Sequence, residues 1–462
     1  MKLILLSLFV ISVTVILFPN AFAEIKVETV VDNLKVPWEL VFAPDGTIYF
    51  TERDGNLWQI DDSGSLKLMA KFPTSGMYEG GLLGLALDPE FEKNNFLYLY
   101  QTYAELLTHQ NKVLRFTISD GHLTDELVLI DEIPGALWHD GGRIHFGPDN
   151  MLYVTTGDAT NAGLSQDVSS LAGKILRINN DGTIPDDNPF ENSPVFSYGH
   201  RNPQGFAWNV DNVMVASEHG PSGENLKGFA HDEINIIKPG QNYGWPEIVG
   251  DSDELKFTNP ILHSGDVTWA PSGVMYYNSD KIPEWKNKFF VATLRGEHVM
   301  MLSLENGKIS SAEKIFEGEY GRIRQLVQSP NGDVFMLTSN AENDKILRVS
   351  DLQKDVLQVE SNLEQIITIC ALTETAPFFD CSEKWYIYVY DTLAVKCPNG
   401  KMAYGCSVWN PDVKFVSIGT AKQDSCYDGK CISVLSHELL HLRCECDWHK
   451  YMTPHHGSSD FR

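Results

Sequence analysis

Apolar and polar residues alternate with a period of two through most of the chain, in short runs broken by Pro, Asp, Asn and Gly. That period places successive side chains on opposite faces of a strand. One unit recurs: an apolar strand, a turn of the Pro-Asp-Gly kind, then a strand rich in Tyr, Val and Thr. Clear copies are LVFAPDGTIYFTE around Pro44, IHFGPDNMLYVTTGD around Pro148 and LVQSPNGDVFMLTSN around Pro330. Weaker copies stand at Pro89, at Val210 and at Pro271, in PSGVMYYN. Each reads as a hairpin. Copies spaced 45 to 62 residues apart, with β patterning only, are the signature of propeller blades. Six copies predict an all-β, six-bladed β-propeller. One four-stranded sheet cannot bury both its faces, whereas a closed ring of sheets buries them all. Two stacked sheets would not need six copies of one turn.

The pattern stops after Ser350. From Asp351 to Leu372 the apolar positions Leu352, Val356, Leu357, Val359, Leu363, Ile366 and Ile367 predict a helical connector. All eight cysteines follow, from Cys370 to Cys446. An even number of cysteines in a short exported segment predicts a disulfide framework. A small cysteine-rich α+β domain is therefore expected over residues 351–462. At the other end, Lys2, the apolar run Leu3 to Phe18 and the small residues of Asn20-Ala21-Phe22-Ala23 predict a signal peptide over residues 1–23. The propeller is then expected over 24–350 of a secreted, extracytoplasmic protein. No other apolar stretch is long enough to span a bilayer. The formal charge of −26 argues against a nucleic-acid partner, which needs clustered Lys and Arg.

Between the repeated turns lie segments too specific to be blade scaffolding. They are Gly80-Gly81-Leu82-Leu83-Gly84, Trp138-His139-Asp140-Gly141-Gly142-Arg143, Gly199-His200-Arg201-Asn202-Pro203-Gln204-Gly205, Glu218-His219-Gly220-Pro221, Asp232-Glu233-Ile234-Asn235, Asn242-Tyr243-Gly244-Trp245-Pro246 and Arg322-Ile323-Arg324. In this order, from about Val36 to Val349, the set resembles the soluble glucose and aldose sugar dehydrogenases that use pyrroloquinoline quinone (PQQ). The resemblance implies oxidation of an aldose to its lactone, with electrons passed to an external acceptor. It implies His139 as general base, a role that suits a side chain with a pKa near neutrality. Protein side chains accept no hydride, so a cofactor must. PQQ carries three carboxylates, and Arg pairs carboxylates with a planar fork. The resemblance assigns Arg201, Asn202, Arg295, Arg322 and Arg324 to the PQQ site; the family often has Lys at the position of Arg295. It assigns the Gly220 and Pro221 carbonyls to a cofactor calcium, and Glu233 and Tyr243 to a structural calcium. Glu79 stands where family members often carry Gln beside PQQ. A carboxylate there needs a proton or a cation partner.

The tail contains Ser436-His437-Glu438-Leu439-Leu440-His441, an HExxH motif with apolar neighbours at helical spacing. His437 and His441 share one face of a helix and can hold one zinc, with Glu438 as general base. His449 is the expected third ligand, with Glu445, Asp447 and a cysteine as rivals. The strand expected at Val413 to Ile418 could present a substrate edge. Two other readings stand beside sugar oxidation: a non-catalytic extracellular binding propeller, and a zinc peptidase with the propeller as scaffold.

Overall fold

The computed structural model describes residues 25–61, 64–75, 78–105, 108–221 and 230–351, and seven short strands between 386 and 432. The chain divides into two compact units, Met1–Asp351 and Leu352–Arg462.

In the first unit the strands form six four-stranded antiparallel sheets. Their innermost strands are Pro37–Phe42, Leu82–Leu87, Ile144–Phe146, Pro203–Trp208, Pro271–Tyr277 and Ile323–Gln328, for blades 1 to 6. Each blade contacts the next, and the sixth contacts the first, so the sheets close a ring. Closure uses both ends of the unit. Ile25–Leu34 pairs antiparallel with Asp344–Asp351, with Val27 opposite Val349, and supplies the outer strand of blade 6. The burial pattern follows from the ring. Strands Leu152–Thr156, Met214–Glu218 and Val334–Thr338 are buried at every residue, because neighbouring blades cover both faces. Outer strands such as Lys308–Ile315 keep a solvent face. Between blades 5 and 6, Met275, Phe290 and Val299 pack with Leu326, Met336 and Leu347. Each such side chain contributes ~1.5–3 kcal/mol by leaving water.

Five of the six expected turns join an innermost strand to the second strand of its blade, at Pro44, Pro89, Pro148, Val210 and Pro330. The copy at Pro271 differs. PSGVMYY is the innermost strand of blade 5 itself, and the turn lies beyond it, between Tyr277 and Lys288, around a short 3-10 helix at Pro283–Trp285. Proline is tolerated there because it opens the strand.

A second regularity was hidden in the sequence. Five innermost strands begin with a β-bulge, and in three of them a single residue at the second position is the extra one. Pro37 pairs with Glu52 and Glu39 with Thr51, which leaves Trp38 as the extra residue. Gln204 and Arg324 are the extra residues in blades 4 and 6. A bulge re-aims the side chain it carries, and all three side chains reach one cavity at the mouth of the ring. Below them the axis is plugged by charge. The fully buried Arg143 pairs with Glu39, donates to the Gln204 carbonyl and lies 3.8 Å over the Trp38 ring.

In the second unit, Phe415–Gly419 forms a strand that overlaps the one expected at Val413 to Ile418 and ends one residue beyond it. It pairs parallel with Tyr386–Tyr390 and antiparallel with Gly405–Val408. The signal peptide, the connector after Asp351, and His437, Glu438, His441 and His449 of the HExxH segment lie outside the described residues. No helix among the described residues is long and apolar enough to cross a membrane.

Candidate active site

The cavity at the mouth, about 320 Å³, is lined by four arginines, Arg53, Arg295, Arg322 and Arg324, and by one carboxylate, Glu79. Burial pushes the Arg324 guanidinium down to about 9, and Arg53, Arg143 and Arg322 push the same way. Its Nη1 donates to Gln204 Oε1 at 3.2 Å, but its Nε has no partner. His219 Nε2 and Thr268 Oγ1, on the same wall, are also buried and unpartnered. Leaving such groups unsatisfied costs about 1–3 kcal/mol each. A cavity with surplus cations and orphaned polar groups calls for an anionic, acceptor-rich ligand.

Glu79 has its partners. Its Oε2 accepts the His139 N–H at 2.9 Å and the Asn202 amide at 3.0 Å. Burial opposes a charge there, but His219, His139 and the Asn202 amide outweigh it and hold the carboxyl below its usual value. Of the two ways to keep a carboxylate beside an anion site, this chain uses hydrogen-bond donors, with the Arg53, Arg322 and Arg324 charges nearby, rather than a proton. Asn202 stands behind the cavity wall: its Oδ1 accepts from Gly141 N–H and Gln204 Nε2. Arg201 donates to the His219 carbonyl, with its guanidinium 5.3 Å from the Trp245 ring centre. Both position the site, whereas Glu79, Arg295, Arg322 and Arg324 line it.

His139 is buried, and its Nδ1 lies 2.7 Å from Asp158 Oδ1. Asp158 also accepts the Thr160 N–H at 2.8 Å and, on Oδ2, Trp245 Nε1 at 2.8 Å. A carboxylate beside Nδ1 fixes the proton on that nitrogen and orients the ring, so Nε2 is the nitrogen that can take a proton. The backbone is bent to allow this. His139 adopts a left-handed φ of 65°, uncommon for a non-glycine residue. Gly157 must be glycine, since a Cβ there would lie 1.8 Å from the His139 carbonyl oxygen. Asp158 was not among the residues the sequence picked out. The signal available was a carboxylate two residues after the buried strand Leu152–Thr156.

The next residue, Asp140, is buried with Oδ2 unpartnered. Burial pushes its carboxyl up to about 7; Glu79 adds to this and the Ala136 N–H works against it. A raised pKa means that the folded state holds this proton more tightly than the unfolded chain does. The stability it contributes is present below about pH 4 and is lost as pH rises through about 7. Asp140→Asn is therefore expected to raise Tm at pH 8 and leave it unchanged at pH 4. The gain should be at most about 4 kcal/mol, read from urea unfolding at the two pH values.

Two further groupings concern cations. Gly220 is held by Asp232, which accepts its N–H at 2.9 Å and the N–H groups of Trp269 and Ala270 on its other oxygen. The Pro221 carbonyl accepts the Ala230 N–H at 2.8 Å. On blade 4, Glu233 sits directly across from Glu218 in the strand register. Burial and then Glu218 push Glu233 up to about 8. Asn235 Oδ1, two residues on, is buried without a donor. Tyr243 stacks on His200 at 4.7 Å, and its hydroxyl is engaged with Ile236 and Lys238. Among the described residues no three His, Cys, Asp or Glu side chains form a ready metal cage.

Fold and site together define a six-bladed propeller whose mouth gathers four arginines beside a buried imidazole–carboxylate pair, His139 and Asp158. The chain belongs to the glucose/sorbosone dehydrogenase family, whose model matches residues 34–348. This bears out the family expected from the ordered motifs. The chain is 31% identical over 364 residues to an aldose sugar dehydrogenase of Escherichia coli (strain K12), covering 71% of this chain and 93% of that one. It is 33% identical over 454 residues to quinoprotein glucose dehydrogenase B of Acinetobacter calcoaceticus, covering 75% and 92%. The PQQ-bound form of an aldose sugar dehydrogenase from Streptomyces coelicolor matches with a TM-score of 0.64 at 35% identity, over 72% of this chain and 99% of that one.

Proposed function

We propose that the protein oxidises aldose sugars to lactones at the anomeric carbon, with PQQ as cofactor and an external electron acceptor. The observation that carries this is a cavity with surplus arginines and orphaned polar groups beside the His139–Asp158 pair. PQQ fits that donor set. Its carboxylates would be held by Arg53, Arg295, Arg322 and Arg324, with Thr268 and His219 completing the hydrogen bonds. The chemistry PQQ supplies there is acceptance of the hydride that leaves the anomeric carbon. His139 Nε2 takes the proton of the anomeric hydroxyl. Asp158 stabilises the imidazolium that results and keeps the ring aimed. Arg324 and its neighbours keep negative charge favourable at the cavity wall through turnover.

Calcium fits two places. The carbonyls of Gly220 and Pro221 lie next to His219 in the chain, and a cation bound there would polarise the cofactor. Glu233, with Glu218, the orphaned Asn235 Oδ1 and the Tyr243 carbonyl, suits a structural calcium. Calcium is expected to raise Tm of the wild type, and Glu233→Gln is expected to lose most of that rise. An equal rise in both proteins would remove Glu233 from the ligand set. We also propose export, from the signal-peptide pattern of residues 1–23.

The function is tested by dye reduction with protein, PQQ and calcium across a panel of aldoses. Activity that His139→Ala abolishes supports it; no reduction with any aldose sinks it.

A further inference from the structure

Two aromatic side chains at the mouth take no part in the chemistry so far. Tyr78 is 54% exposed and Trp138 is 44% exposed, and their ring centres lie 4.8 Å apart at 43°. Adjacent exposed aromatics make a contiguous apolar patch of the kind found at recognition sites, where Trp and Tyr are enriched. Their loops are tied to each other. Glu79 N–H donates to the Leu137 carbonyl at 3.2 Å, and His139 N–H donates back to Glu79 Oε2. Tyr78, like His139, holds a left-handed φ, of 62°. The pair is thus fixed before any ligand arrives, which lowers the ordering cost of binding.

Position says what the pair meets. Both rings line the arginine cavity. Trp138 also lines a second cleft, of about 640 Å³, with His139, Asp158, Thr108, His109 and Thr160. The arginine side suits an anion. The second side offers hydroxyl, imidazole and carboxylate groups, which suit a neutral polyol. A pyranose has an apolar C–H face and a polar rim, and an aromatic wall beside hydrogen-bonding groups matches both. We infer that Trp138 and Tyr78 form a stacking platform for a sugar ring, the ring next to the one oxidised at His139. The platform is a specificity determinant that favours oligosaccharides over monosaccharides. This rests on the sugar-oxidising reading above.

The test is calorimetric binding of maltose and glucose to the PQQ-loaded protein, with PQQ affinity measured alongside. Trp138→Ala should weaken maltose about tenfold and glucose less, with a smaller loss for PQQ than for maltose, since the ring also borders the arginine cavity. Trp138→Phe should restore most of the loss. Tyr78→Ala gives a second variant on the same surface if Trp138→Ala does not fold. Unchanged maltose affinity, a loss confined to PQQ, or no maltose binding by the wild type overturns the inference. The two readings fail separately. A wild type that binds maltose through Trp138 but oxidises no aldose removes the activity and keeps the platform. A wild type that oxidises aldoses while the variants bind maltose normally removes only the platform.

Discussion

Asp158→Asn is expected to lower kcat about 10²- to 10⁴-fold while leaving the fold and PQQ affinity unchanged. The carboxylate accepts three hydrogen bonds, from His139 Nδ1, Thr160 N and Trp245 Nε1. An amide of the same shape has one acceptor oxygen and two N–H donors. It cannot stabilise an imidazolium, and it favours the tautomer with the proton on Nε2, where the substrate needs a base. A steady-state profile against pH separates this from a packing defect. The variant should lose kcat at every pH, with KM little changed. A fall in KM and kcat together with a lower Tm would instead mark Asp158 as a structural carboxylate.

Arg324→Gln is expected to move stability and cofactor binding in opposite directions. Without an anion the guanidinium is buried among Arg53, Arg143 and Arg322, with Nε unpartnered. Removing the charge relieves that repulsion, so Tm of the apo protein should rise. The same change removes a buried partner for a carboxylate, which costs about 2–5 kcal/mol in binding. PQQ affinity should therefore fall by at least about thirtyfold. Thermal melts with and without PQQ read both effects: the melting curves of variant and wild type should cross as PQQ is added. A parallel loss in both conditions would mean that Arg324 serves only the fold. The sign of the apo effect matters most, because only a site built for an anion is destabilised by its own cations.

The architecture was largely legible in the sequence because its signal is local. Five turn copies mark the first hairpin of five blades. The sixth, at Pro271, shows the limit. Gly273 imitates the turn chemistry, although it lies in a strand. Its Cβ would meet Gln325 Oε1 at 1.7 Å, so the glycine is there for close packing rather than for a turn. The site was legible where motifs carry it, at His139, Glu79, Arg322 and Arg324. It was not legible where register decides. Trp38 and Gln204 reach the cavity because a bulge turns them inward, and no local pattern encodes which residue of a pair is the extra one. Arg53 and Thr268 enter from loops of different blades, so only ring closure brings them together. Asn202 shows the converse: a residue assigned to the cofactor whose amide is engaged by Glu79, Gly141 and Gln204.

Aldose oxidation at this site is tested by a single turnover without oxygen. Protein loaded with one equivalent of PQQ and calcium is mixed with excess glucose or maltose, and the quinone absorbance is followed with no electron acceptor present. Sugar oxidation with His139 as base should give complete bleaching with one lactone formed per site, and bleaching slowed by at least about a hundredfold in Asp158→Asn. PQQ bound in full whose absorbance no aldose changes would contradict it.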